Sequence, residues 1–295
     1  MVGRGELTDK AWAQLAPLLP GNQRRGGRWR DHRTVINGIS WKLRTGAPWR
    51  DLPERYGPWQ TCYDRFVRWR RDDTWDRLLA HVQTKSDAVG ELEWVVSVDS
   101  SSVRAHQHAA GARKRPARAD AKGGRSVTRP RRSAVPRGGL TTKIHLGCDG
   151  RGRPLSVVLT PGQRHDSTQL EPVLDAIRVP RPCGRVGLAN GPTTWSATRV
   201  TAIRGVGSCC AAVASRTPSR SGPTSARRAG RPGRPLGFDR ARYRGRNVVE
   251  RCFNRLKQFR AVATRYDKRA VNYRKRAVNY RAMVVIASLL IWLEG

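Results

Sequence analysis

The chain has 295 residues and a formal net charge of +36, from 58 Lys and Arg against 22 Asp and Glu. An enzyme of small anions has no need of that excess, whereas a polyanion partner does, because each Lys or Arg near a phosphate releases a condensed counterion. Ten Trp residues and regular helical patterning exclude a purely disordered basic tail and leave a basic structural protein as the bland alternative.

Residues 8–84 read as a small helical domain. Thr8-Asp9 caps a first helix carrying Trp12, Leu15, Leu18 and Leu19, which Pro20-Gly21 ends. A second helix runs from about His32 to Arg44 and is broken by Gly46-Ala47-Pro48. A third starts near Pro58, with Tyr63, Phe66, Val67 and Trp69 among Arg65, Arg68, Arg70 and Arg71. A fourth covers Trp75 to Val82. A basic, aromatic-rich third helix suits a helix-turn-helix DNA reader in which Arg65 and Arg68 meet DNA. A plain helical bundle with a solvated basic face competes with that reading.

From Glu93 the period changes. Trp94 to Val98 is a β-branched run ending at Asp99, Leu140 to Cys148 alternates as a strand, and Pro154 to Thr160 is another. Between the first two lies Gly111 to Gly139, with ten Lys and Arg and one Asp, a basic loop suited to phosphates through Arg129, Arg131 and Arg132. Asp166 to Ile177 reads as a helix capped by Asp166 or Ser167, and Asp149 as a turn residue. The stretch from Ala176 to Phe238 holds eleven Arg, no Lys and no acidic residue, and it keeps neither helical nor strand period. Helices resume over Tyr243 to Arg260 and Arg276 to Leu293. Residues 268–274 are repeated at once as 275–281, a tandem heptad with little functional meaning.

The opening Met1 to Glu6 has no leader-like pattern. The apolar run Ala282 to Leu293 is shorter than the roughly 20 residues that span a bilayer. The six Cys form no C-x-x-C pair, so reduced thiols without zinc or disulfides are expected, as is no membrane partner.

The strongest local signal is Tyr243-x2-Arg246-x3-Glu250-x6-Lys257. On a helix, the last three fall at about −60°, −20° and −40° from Tyr243. A carboxylate on one stripe with Arg, Lys and Tyr suits a cation-and-phosphate site. Taken alone, the simpler reading is an exposed face with Arg246 and Glu250 at i, i+4. Asp99 shifts that balance, since a carboxylate at a strand end in so basic a chain suits a hard cation such as Mg2+.

These residues carry a family resemblance. The chain resembles bacterial insertion-sequence transposases of the DDE class, with an RNase H-like catalytic core. The resemblance rests on Leu7-Thr8-Asp9 with Trp12, the segment Thr45 to Pro53, Val98-Asp99-Ser100, Arg137 to His145, the Pro161-Gly162-Gln163 turn, and Asn247 to Lys257. It implies an α/β chain in two parts: an N-terminal helical DNA-binding domain over 1–88 and an RNase H-like domain over 89–295. It implies Mg2+ or Mn2+ held by Asp, Asp and Glu, with Asp99 matching the first and Glu250 the last. Tyr243, Arg246 and Lys257 match accessory positions on DNA. The partners implied are element ends and target DNA, with a homodimer possible, in a bacterial cytoplasm at the nucleoid.

The second Asp of that triad has no counterpart here. It belongs on a strand before Lys-Gly-Tyr, in the interval that the acid-free stretch occupies. The genetic code offers a reason. Ala197 to Ile203 can be written GCG ACA AGG GTT ACA GCT ATC, which shifted by two bases reads Asp-Lys-Gly-Tyr-Ser-Tyr. Val206 to Val213 can likewise hide Arg-Gln-Leu-Leu-Arg-Arg-Arg. Residues 183–235 therefore read as a disrupted, frame-shifted segment that has lost a core strand. Two functions follow: a transposase impaired in strand cleavage and transfer, or a non-catalytic DNA-binding remnant.

Overall fold

A computed structural model describes residues 5–21, 29–106, 141–180, 203–204, 247–266 and 277–294. The basic loop over 111–139 and the first heptad copy lie outside the described residues. So does the 183–235 segment, apart from Ile203 and Arg204.

Four helices open the chain: α1 (Asp9–Leu15), α2 (His32–Thr45), α3 (Trp59–Arg71) and α4 (Thr74–Ala88). Their ends follow from local chemistry. The Thr8 hydroxyl caps α1 by accepting from the Ala11 N–H, and Asp31 caps α2 by accepting from Thr34. Gly46, at φ 70°, stops α2 in a conformation that side chains resist. Asp73 at φ 54° makes the tight turn from α3 to α4.

Strands β1 (Ser97–Arg104), β2 (Thr141–Cys148) and β3 (Pro154–Pro161) form an antiparallel meander. A two-residue strand, β4 (Ile203–Arg204), lies parallel to β1, giving the order β3-β2-β1-β4. Asp99 is the third residue of β1 rather than the end of a strand over 94–98. The reason is that β2 pairs along the whole of 97–104, from Ser97 with Cys148 to Arg104 with Thr141, so the serines after Asp99 continue the ladder. The 166–177 helix also differs from expectation. A 3-10 turn covers Asp166–Gln169, then α5 (Leu170–Asp175) follows, and the cap is His165, whose ring accepts from the Ser167 N–H. Asp166 does not cap because its carboxylate is drawn to Lys143 on β2, at 2.9 Å.

Helices α6 (Asn247–Gln258), α7 (Arg260–Ala263) and α8 (Ala277–Glu294) complete the described fold. The 268–281 duplication straddles this last boundary, and residues 277–281 form the first turn of α8. By length and composition α8 could cross a membrane, at mean hydropathy 1.4 over 18 residues. It is instead a core helix, packed against α4 and β3, with Tyr280, Val284, Val285, Leu289, Ile291 and Trp292 buried. One continuous hydrophobic core therefore joins the N-terminal helices to the sheet.

The β2–β3 turn is closed by a fully buried Asp149. Its carboxylate accepts from the Arg151 and Arg153 N–H groups at 3.1 and 2.7 Å, and from the Arg153 guanidinium at 2.8 Å. Arg153 in turn donates to the Glu91 carbonyl and lies 4.0 Å from the Trp292 ring centre. Asp149 is thus the turn residue expected. Removing one member of a buried pair strands the other charge, so Asp149→Ala should destabilise the fold by about 3–5 kcal/mol. Urea unfolding followed by Trp fluorescence measures this, with Lys85→Ala as an exposed control expected to change little.

Candidate active site and nucleic-acid face

The pleat of β1 sends alternate side chains to opposite faces of the sheet. Ser97, Asp99, Ser101 and Val103 share one face with their cross-strand partners Cys148, Leu146, Ile144 and Thr142. That face is the one α6 covers. The Cys252 thiol of α6 is hydrogen-bonded with that of Cys148, and Arg265 donates to the Thr142 hydroxyl at 2.9 Å. The Cys148 contact, and then burial, raise the Cys252 thiol well above its ordinary value. The opposite face packs on α5, where Ser156 donates to the Val173 carbonyl and a Cβ on Gly147 would meet Val173 and Ile177.

Asp99 and Glu250 are therefore carried by two elements on the same side of the sheet. Val249, Cys252, Phe253 and Leu256 bury the inner face of α6, while Glu250 stays exposed and Asp99 is half-buried. Lys257 is exposed on the same helix, its ammonium 6.0 Å from the Phe253 ring centre. Tyr243 and Arg246 lie outside the described residues, as do Arg129, Arg131 and Arg132.

A pair of divalent ions bridging attacking and leaving oxygens needs several carboxylate oxygens. Among the described residues no group of three or more His, Cys, Asp or Glu could hold a metal. Beside β1 runs the parallel strand β4, made of Ile203 and Arg204. The chain has no acidic residue anywhere from 176 to 238. A strand does stand in that interval, contrary to its expected loss, but it is two residues long and carries no carboxylate. Asp99 and Glu250 are carboxylates of the kind that suits a hard cation.

The other face of β1 and β2 carries a cluster that patterning alone did not reveal. Lys143 bridges the Asp166 carboxylate at 2.9 Å and the Arg164 carbonyl at 3.1 Å. His145 shares a hydrogen bond with Thr160 at 2.8 Å and lies 3.8 Å from Asp166. Burial pushes the Asp166 carboxyl up, but hydrogen bonds from Lys143 and Ser100 and the nearby charges outweigh it and hold the group below its ordinary value. The signal in the sequence was the strand period, which places Lys143 and His145 on one face and Thr142 and Ile144 on the other.

In the helical region the two arginines expected on DNA part company. Arg68 is exposed, whereas Arg65 is 6% exposed and turned inward. Its guanidinium lies 3.9 Å from the Trp29 ring centre and 5.4 Å from that of Trp69, and it meets His32 Nδ1 at 2.6 Å. Burial, then the charge of Arg65, pull the His32 pKa down, so the ring is the neutral acceptor this contact requires. Burial and the neighbouring Arg68 lower Arg65 in the same way. Arg65 is a scaffold residue because α3 turns it to the same side as Phe66 and Trp69.

Comparison with known proteins finds two family models on the chain. Residues 7–79 match the family model described as "Putative transposase of IS4/5 family (DUF4096)", and residues 90–188 match "Transposase DDE domain". A protein of Sinorhizobium fredii (strain NBRC 101917 / NGR234), "Uncharacterized protein y4sN", is 40% identical over 121 residues, 40% of this chain and 87% of the relative. The "Insertion element IS402 uncharacterized 16.2 kDa protein" of Burkholderia cepacia is 35% identical over 107 residues, 34% of this chain and 73% of the relative. No solved structure matches. The helical N-terminal region, the antiparallel meander with Asp99, and the extent of these matches together establish that the chain belongs to the IS4/IS5 family of DDE insertion-sequence transposases.

Proposed function

We propose that this transposase binds the ends of its insertion sequence through the N-terminal helices and the basic 111–139 segment, and that it is impaired in strand cleavage and transfer. In this reading the core is RNase H-like, and Asp99 and Glu250 are the surviving members of a metal-binding triad for Mg2+ or Mn2+. The second Asp is lost in a frame-shifted segment near 183–235. Tyr243, Arg246 and Lys257 hold DNA backbone beside Glu250, and Arg129, Arg131 and Arg132 hold it from the loop. The protein works at the nucleoid in the bacterial cytoplasm, as a homodimer when it joins two ends. The observation that carries the reading is the absence of any acid from 176 to 238, in the interval where the DDE match ends at residue 188.

The favourable interactions available to the chain as it stands are those of a DNA binder. Lys257 on α6 and Arg68 on α3 are exposed cations. Glu250 and Asp99 can orient a cation, but two carboxylates leave the second ion without ligands, and Mg2+ dehydrates reluctantly without them. A second reading, a non-catalytic remnant that occupies element ends or pairs with intact copies, uses the same surfaces and omits cleavage.

Binding to duplex DNA should weaken steeply with salt, each phosphate contact adding about −0.9 to the slope of log affinity against log salt. Arg→Ala changes at Arg129, Arg131 and Arg132 should flatten that slope, as fluorescence anisotropy across a salt series would show. An unchanged slope places the loop off the DNA, and salt-independent binding removes the electrostatic basis of the proposal.

The chain as written should bind end DNA and fail to nick it with Mg2+ or Mn2+ on a sequencing gel. The gene should hold compensating insertions or deletions near codons 183 and 235, with Asp-Lys-Gly-Tyr in the restored frame. The restored protein should cleave, and Asp99→Ala or Glu250→Ala should abolish cleavage while leaving binding intact. Metal-dependent cleavage by the unaltered chain that is lost on Asp99→Ala would contradict the impairment. Cleavage surviving both substitutions would move the active site elsewhere.

A further inference from the structure

The outward face of α3 is unusual for a helix of so basic a chain. Taking Gln60 as zero, Arg71, Asp64 and Arg68 fall at about 20°, 40° and 80° on a helical projection. All four are exposed. The buried side chains Cys62, Arg65, Phe66 and Trp69 occupy the opposite side. The stripe thus offers an amide, a carboxylate and two guanidiniums to solvent along one line, backed by the aromatic core.

Asp64 is the informative member. An acid four residues before an arginine ordinarily pairs with it along the helix. Here Arg68 sits instead 5.2 Å from the Trp29 ring centre, and Asp64 makes no ion pair among the described residues. On a surface that met only phosphates, a carboxylate at the centre would be repulsive. On a surface that meets base edges it has a use, because it accepts from the amino group of cytosine, as Gln pairs with adenine and Arg with guanine.

The flanks supply the backbone contacts that such a reader requires. Arg50 is exposed and lies 5.9 Å from the ring centre of Trp59, the first residue of α3. Arg71 stands at the last residue of the helix. The 13 residues of α3 span about 20 Å, enough to lie along a major groove roughly 12 Å wide with a cation near each phosphate rail. The helix is held rigidly from behind. Trp69 packs edge-on against Trp75 at 5.1 Å, and Trp49 contacts both Tyr63 and Phe66. The Trp29 ring centre lies 3.9 Å from the buried Arg65 and 5.2 Å from the exposed Arg68, so Arg65 is a positioning residue for Arg68 through the ring they share.

We propose that α3 reads sequence in the major groove of the element ends, with Gln60, Asp64 and Arg68 on base edges and Arg50 and Arg71 on flanking phosphates. The inference rests on the DNA-binding reading above and adds the residues that set specificity. Selection of bound duplexes from a random pool by the full chain tests it, beside anisotropy on a fixed non-cognate duplex. The wild-type chain should enrich one short motif. Asp64→Asn should relax one C·G position, and Gln60→Ala and Arg68→Ala should relax neighbouring positions, each by roughly 5- to 150-fold in discrimination. Affinity for the non-cognate duplex should stay within about twofold for Asp64→Asn and Gln60→Ala, because neither removes a positive charge. Arg65→Lys should blur the position read by Arg68 and also lower thermal stability, because the stacked, buried guanidinium is lost. A motif unaltered in the Gln60, Asp64 and Arg68 variants overturns the assignment of α3. So does binding without any enriched motif, which leaves the DNA-binding reading in place. Failure of the wild-type chain to bind either duplex overturns the DNA-binding reading itself.

Discussion

The described fold depends on how the carbonyl of Pro154 is satisfied. The β2–β3 ladder shifts register at Gly147 and Cys148, so that Cys148 pairs with Pro154 while Gly147 pairs with Ser156. An irregularity of this kind frees backbone groups from the ladder, and a freed group that is buried needs another partner. Trp292 of α8 donates to the Pro154 carbonyl at 2.6 Å, and Gln83 of α4 donates to it and to Leu155 at 3.0 and 3.1 Å. The bulge therefore becomes the joint at which the N-terminal helices, the last helix and the sheet are fixed to one another. The Asp149–Arg153 pair and the Trp292 ring over Arg153 close the same corner.

That joint explains why an apolar helix at the end of the chain belongs to the interior. A segment with the hydropathy of α8 must lose its apolar surface to something, since burial of that surface is the main driving force of folding. The groove between α4 and β3 offers matching apolar surface, and the indole of Trp292 finds an acceptor there that a hydrocarbon environment would not supply. Arg281 ties the other end of α8 to α4 through a two-pronged contact with Asp76.

A chain with this much positive charge also has to place arginines where no carboxylate is available. Arg65 shows one solution, with aromatic faces and a neutral imidazole replacing the missing anion. Burial and then the charge of Arg68 still disfavour the Arg65 guanidinium, and the Trp29 and Trp69 faces offset part of that cost. In the sheet the charged groups are sorted by the pleat. Asp99 lies on the face of α6, while Lys143, His145 and Asp166 are gathered on the face of α5.

Much of this was determined by the sequence alone, because the relevant forces are local. The caps at Thr8 and Asp31, the left-handed stop at Gly46, the hairpin turn at Asp149 and the strands at 141–148 and 154–161 follow from side-chain hydrogen bonding and period within a few residues. The family segments around Asp99 and Glu250 were legible for the same reason, as was the lack of an acid from 176 to 238. Tertiary structure decided what local pattern leaves open. Whether Arg65 or Arg68 faces outward depends on the rotation of α3 against Trp69 and Trp75, and basic residues on adjacent turns look alike in a sequence. Asp166 carried the composition of a helix cap, yet a lysine 23 residues away on β2 attracts its carboxylate more strongly than the helix end does. The strand holding Asp99 extends through three serines because β2 supplies partners for their backbone, an interaction between segments that no local period encodes.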